Sequence, residues 1–127
     1  MKFKMAKCGN PSILGANIMD FKKGTATPSS GTAAAGTLNA DTFIMSVNLS
    51  GNTIAAAAEM TVTMTNKAIT ADTIPMVSVG WGTGGTVGIG GVTVTSNQLV
   101  ITITNLHASV ALDGVVVIYG LMINPRI

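Results

Sequence analysis

The 127 residues suffice for one domain that buries about two thirds of the surface its unfolded chain exposes. Charged residues make up 9% of the chain, against about 25% in ordinary soluble domains. The single cysteine, Cys8, excludes an intrachain disulfide framework and reads as a free thiol.

The charge is unevenly placed. Lys2, Lys4, Lys7, Lys22 and Lys23 against Asp20 give the first 23 residues a net +4, and Arg126 adds a positive charge near the far end. Residues 24–125 set Lys67 alone against Asp41, Glu59, Asp72 and Asp113, a net of −3. A mildly acidic, charge-poor body therefore carries a basic arm. The arm's lysines interrupt any apolar leader core, so no signal peptide is expected. The longest apolar run, residues 115–123, is about half of the roughly 20 residues that a membrane-spanning helix needs.

In chain order, residues 1–23 are predicted to form the arm, with Gly9, Asn10, Pro11 and Gly15 as breaks and Ile13, Leu14, Ile18, Met19 and Phe21 as apolar anchors. Only a short helical turn over 13–21 is expected there. Residues 24–31 read as a short edge strand or a linker, because Pro28 cannot donate to a central ladder. Residues 24–127 form the folded domain.

Eight short strands are expected within it, at 32–38, 42–48, 59–65, 76–79, 86–89, 92–95, 99–104 and 115–123. Met60, Val62 and Met64 alternate with Glu59, Thr61, Thr63 and Thr65, the period of a strand with one buried face; residues 115–123 are apolar on both faces. Gly, Asn or Asp marks the breaks, as in Ser50-Gly51-Asn52, Ser96-Asn97 and Asp113-Gly114. The four alanines 55–58 suit one helical turn or a tight strand connection equally. The class is all-β, a jelly-roll-like β-sandwich of about eight strands with an extended N-terminal arm. Its strand edges have few charges to protect them, which points to cover by neighbouring subunits.

Reactive chemistry is sparse. Residues 80–85 match G-x-G-x-x-G, but a dinucleotide fingerprint must open a helix, and strand and turn residues follow instead. Trp81 within that loop is read as a subunit-contact residue, since Trp is enriched at interface hot spots. His107 is the sole histidine, read as a turn residue bonded to backbone; Ser109 and Asp113 lie near it without a nucleophile elbow. One His, one distant Cys and scattered carboxylates offer no metal-ligand spacing, and no cofactor is expected. The five arm lysines could neutralise phosphate, but the arm lacks Arg and has only Phe3 and Phe21 to stack on bases. An acidic protein surface fits them better than nucleic acid. Asn48-Leu49-Ser50 is a formal glycosylation sequon of a kind that arises often by chance.

From Gly31 to Asn124 the rhythm of strand, Thr-Asn turn and Ala-rich connection resembles the capsid cement, or decoration, proteins of tailed bacteriophages and related fibre-tip modules. The pieces that carry it are 31–33, 59–66 continuing through 68–79, 100–108, and Ala111-Leu112-Asp113-Gly114 leading into the last strand. The resemblance implies a homotrimer on the outer capsid surface of a virion, joining major capsid proteins without enzymatic activity, cofactor, nucleic acid or membrane. Lys2, Phe3, Lys4, Lys7, Ile13, Leu14, Phe21, Lys22, Lys23 and Trp81 are the expected capsid or subunit contacts, the arm's role being inferred from its own residues. The alternative is a tail-fibre or tail-tip module that binds a receptor glycan through Trp81 and Tyr119. A coat protein holding the genome with its arm suits the missing Arg least.

Overall fold

The computed structural model describes residues 21–125. Within them the chain is all-β and forms eight strands: β1 (Lys22–Pro28), β2 (Ala33–Thr37), β3 (Thr42–Asn48), β4 (Glu59–Thr65), β5 (Ile74–Thr83), β6 (Val87–Thr95), β7 (Gln98–Asn105) and β8 (Asp113–Ile123). They make one nearly closed sheet in the order β5-β8-β3-β1-β2-β4-β7-β6. The order is symmetric about the β1/β2 hairpin. On one side β1 runs parallel to β3, and β3, β8 and β5 continue antiparallel; on the other, β2 runs parallel to β4, and β4, β7 and β6 continue antiparallel.

Period-two alternation decides what lies inside. Phe43, Met45 and Val47 from β3, and Val116, Ile118 and Met122 from β8, share one buried cluster with Met60, Val62 and Met64 from β4 and Leu99, Ile101 and Ile103 from β7. The two halves of the sheet thus face each other around a single core, the sandwich that the alternation predicts.

The hairpin at the centre is built of small residues because the backbones approach closely there. A Cβ at Gly36 would stand 2.7 Å from the Thr25 carbonyl oxygen and 3.0 Å from the Ala26 Cα. The neighbouring alanines let the sheet fold over at this point, and Ala26 and Ala34 are buried in the core.

Two expectations shift. The segment with Pro28 is the central strand β1, not an edge strand or linker; Pro28 ends it, pairing only with Ala34, while the ladder to β3 stops at Ala26. The missing N–H therefore interrupts no pairing with β3. The strand also starts at Lys22, so Lys22 and Lys23, read with the arm, sit in the sheet. Residues 86–89 and 92–95 belong to the single strand β6, which a bulge at Gly90 carries past the glycine pair. The alanines 55–58 form a turn, with the Ala58 N–H donating to the Ala55 carbonyl at 3.0 Å and Ala57 at φ 58°. The helical turn expected over 13–21 falls, except for Phe21, outside the described residues.

One buried polar side chain ties the loops to the sheet. Asn105, fully buried at the end of β7, donates through Nδ2 to the carbonyls of Ile54 (3.1 Å), Ala55 (3.2 Å) and Val110 (2.8 Å). Its Oδ1 accepts from the backbone N–H groups of Thr86 and His107, each at 3.1 Å. Four separate segments are joined through one amide.

Candidate adhesive face

The two outer faces of the folded sheet differ in chemistry. On the half formed by β4, β7 and β6, the outward positions are Glu59, Thr61, Thr63 and Thr65, then Gln98, Val100, Thr102 and Thr104, then Thr93 and Thr95. Most of these positions are threonines, which carry a hydroxyl each; the Thr104 hydroxyl is buried. On the half formed by β3, β8 and β5, the outward positions are Thr42, Ile44, Ser46 and Asn48, then Val115, Val117, Tyr119, Leu121 and Ile123, then Ile74, Met76 and Ser78. No charge falls in these rows, and the nearest is the exposed Lys23 of β1, paired beside Ile44.

Several of these apolar side chains stand well into solvent: Ile74 is 50% exposed, Met76 58% and Trp81 68%. Leaving half of such a side chain wet forgoes about 1 kcal/mol of burial at each position. Scattered apolar residues are ordinary on a surface, whereas a contiguous apolar row is a candidate contact surface. The strand β8 explains how it arises: its inward row fills the core and its outward row is apolar as well.

Trp81 stands at one end of the face. It occupies the left-handed region, φ 68°, next to a register shift between Trp81 and Thr83. Its Nε1 donates to the Tyr119 hydroxyl at 2.6 Å, which places the indole on the outer side with Tyr119, although its register partner Val116 points into the core. A bulky residue in the left-handed region costs on the order of 1–3 kcal/mol, a strain that collects at working surfaces. Trp81, Gly82, Thr83, Val115 and Val117 line one shallow groove; Phe21, Met76, Ser78, Tyr119 and Leu121 line a second. The Trp81–Tyr119 hydrogen bond links them into one continuous surface.

The edges adjoin it. The sheet begins with β5 and ends with β6, and neither strand contains a charged residue. Val77, Val79, Val87 and Val94 are only partly buried against the core along this side, while Ile89 and Val92 are 38% and 36% exposed. Bulges in both strands, and Pro75 in β5, are the protection against pairing with another chain.

Among the expected contact residues, Trp81 and Phe21 belong to this face, and Lys22 and Lys23 are exposed at the start of β1. Lys2, Phe3, Lys4, Lys7, Ile13 and Leu14 lie outside the described residues. The reading from single residues missed Met76, Val117 and Leu121; the run 115–123, apolar on both faces where β4 alternates cleanly with threonine, is the signal for Val117 and Leu121, and only the register of β5 on β8 brings in Met76.

The remaining motifs are structural. Residues 80–85 end β5 and turn toward β6, with Gly82 and Gly84 left-handed and a strand following. His107 Nδ1 accepts from the N–H groups of Ser109 and Val110, each at 3.1 Å, holding the loop before β8. Among the described residues, no group of three or more His, Cys, Asp or Glu side chains could hold a metal ion. Among those residues, too, no helix is long and apolar enough to cross a membrane. Compared with family models, curated proteins and solved structures, the chain matches none.

Proposed function

We propose that this chain is a virion structural protein that works by adhesion: a homotrimeric capsid cement protein of a tailed bacteriophage, bound to major capsid proteins on the outer surface of the shell. The observation that carries this reading is the contrast between the outer faces, one threonine-rich and suited to water, the other apolar, uncharged and strained at Trp81. Adhesion needs such a pair of faces. The described chain begins at Phe21, on the apolar side, and the exposed Lys22 and Lys23 that follow it suit an acidic partner surface. The uncharged edges β5 and β6 are the strands that neighbouring copies would cover in a trimer.

Such a protein stabilises by mass action. Binding the mature shell and not the loosened one adds RT ln(1 + [L]/Kd) per site to the shell's resistance to rupture. Low charge suits a body whose surface is largely covered.

The exposed Trp81–Tyr119 pair favours a second reading, a tail-fibre or tail-tip module that stacks a sugar ring on the indole. One experiment separates the two. Antibody raised against the chain is expected to label the capsids of virions that carry its gene, and light scattering of the purified protein is expected to give a trimer mass. Labelling confined to tail tips, with hits on a glycan array, would favour the second reading, and a monomer at micromolar concentration would contradict the trimer.

A further inference from the structure

We infer that a hollow at one end of the threonine-rich half binds a saccharide unit carrying a single carboxylate. The inference goes beyond both readings of the apolar face and depends on neither. The hollow lies where β2 and β4 end and the turn from β6 to β7 passes, with Thr37, Asn39, Thr65, Lys67 and Asn97 as its exposed lining over the buried Leu38. Its volume is about 490 Å³, within the roughly 300–1,000 Å³ of small-molecule sites. Trp81 pairs with Val116 in the other half of the sheet, toward the opposite end of the strands, so this hollow is separate from the Trp81–Tyr119 surface.

Asn66 fixes the segments that border it. Its Nδ2 donates to the Leu38 carbonyl at 2.7 Å, its Oδ1 accepts from the Ala68 N–H at 2.7 Å, and its backbone N–H donates to the Asn97 carbonyl at 2.9 Å. The Asn97 N–H donates in turn to the Ile69 carbonyl at 2.8 Å, with Asn97 at φ 71°, a left-handed conformation that asparagine tolerates. Three loops are thus held in place before any ligand arrives. Such preorganisation lowers the cost of binding.

The side chains left over select the ligand. Among the described residues nothing engages the polar ends of Thr37, Asn39, Lys67 and Asn97. The hydroxyl and the two amides each donate and accept, which is what the hydroxyls of a sugar require. Lys67, the only cation in residues 24–125, supplies one positive charge for one carboxylate. No lining residue is acidic, so a ligand with an ammonium group finds no counter-charge; none is aromatic, so a nucleobase has nothing to stack on. A phosphate dianion would meet a single lysine and no guanidinium fork. A sugar acid matches the set, with many hydroxyls and one charge.

Backbone amide NMR of the full chain reads the site residue by residue. The probes are galacturonate, a galacturonate tetramer, neutral galactose and inorganic phosphate, each raised to about 20 mM. Galacturonate is expected to shift the amides of 37–39, 65–67 and 97 with a Kd on the order of 1 mM, and galactose to bind about tenfold more weakly. Lys67→Gln should weaken galacturonate binding about tenfold, the loss of one charge-assisted hydrogen bond. Asn97→Gly keeps the left-handed backbone and removes the amide, and should weaken binding about threefold. Tighter binding of the tetramer than of the monomer would make an acidic polysaccharide the source of the unit, and equal binding a free sugar acid; either supports the site. No shift at these residues, galactose binding as tightly as galacturonate, or binding unchanged in Lys67→Gln would overturn the inference. Phosphate binding as tightly as galacturonate would overturn it too, because the hollow would then recognise charge and not sugar.

Discussion

Asn105→Ala is expected to lower stability by about 4 kcal/mol, the combined cost of stranding several buried backbone groups. In a domain of this size that corresponds to a fall in melting temperature of about 15 °C. The amide's orientation is set by its surroundings, with three carbonyls on the Nδ2 side and two N–H groups on the Oδ1 side. Alanine removes all five bonds. The Ile54 and Ala55 carbonyls keep the N–H donors of Leu112 and Ala58, so the cost falls mainly on Val110, Thr86 and His107. Asn105→Asp has the same shape but turns an oxygen toward the three carbonyls, and at neutral pH it is expected to be at least as damaging. Thermal melting and urea titration of both variants check this. A loss under about 1 kcal/mol in either would show that the network is not what joins the loops to the sheet.

Gly120 carries the second large effect. It sits on the inner row of β8, opposite Phe43 of β3, and a Cβ there would fall against the Phe43 ring, 2.5 Å from Cε1 and 2.7 Å from Cε2. Phe43 is buried on every side and cannot swing into water. Gly120→Ala is therefore expected to cost about 3 kcal/mol through overpacking, and Gly120→Val is expected to prevent folding. The interaction is pairwise, so Phe43→Leu, costing about 1.5 kcal/mol alone, should recover part of the loss when combined with Gly120→Ala. A double-mutant cycle by urea denaturation measures the coupling. Strict additivity would mean that the ring and the glycine do not compete for the same space.

Both predictions concern residues whose importance the sequence did not announce, and the reasons are physical. The strands of the central core are legible because Met60, Val62 and Met64, or Leu99, Ile101 and Ile103, alternate with polar partners, and period two has one interpretation in a half-buried sheet. Gly120 lies inside an apolar run that has no alternation to read. Asn105 looks like any strand-ending asparagine until three of its five partners, Ile54, Ala55 and Thr86, are brought to it from distant segments by the fold. The central position of β1 was hidden by Pro28, which is harmless because it falls where the ladder to β3 has already ended.

The adhesive face was half legible. Trp81 stands out by type, and the run 115–123 stands out by composition, but only the register of β3, β8 and β5 puts Ile44, Leu121 and Met76 in adjoining rows. The opposite half carries threonines in the equivalent outward rows. The proposed function rests on that difference, one outer side rich in threonine and the other in apolar residues.

The most direct test places the same charge on each face in turn. Full-length protein carrying Met76→Asp and Val117→Asp on the apolar side, or Thr63→Asp and Thr102→Asp on the threonine side, is to be compared with the natural sequence for co-sedimentation with DNA-filled capsids. The expected result is loss of binding for the first pair and retained binding for the second, with both chains folded by circular dichroism. Binding that survives charge on the apolar side, or is lost only with charge on the threonine side, would contradict the assignment of the adhesive face.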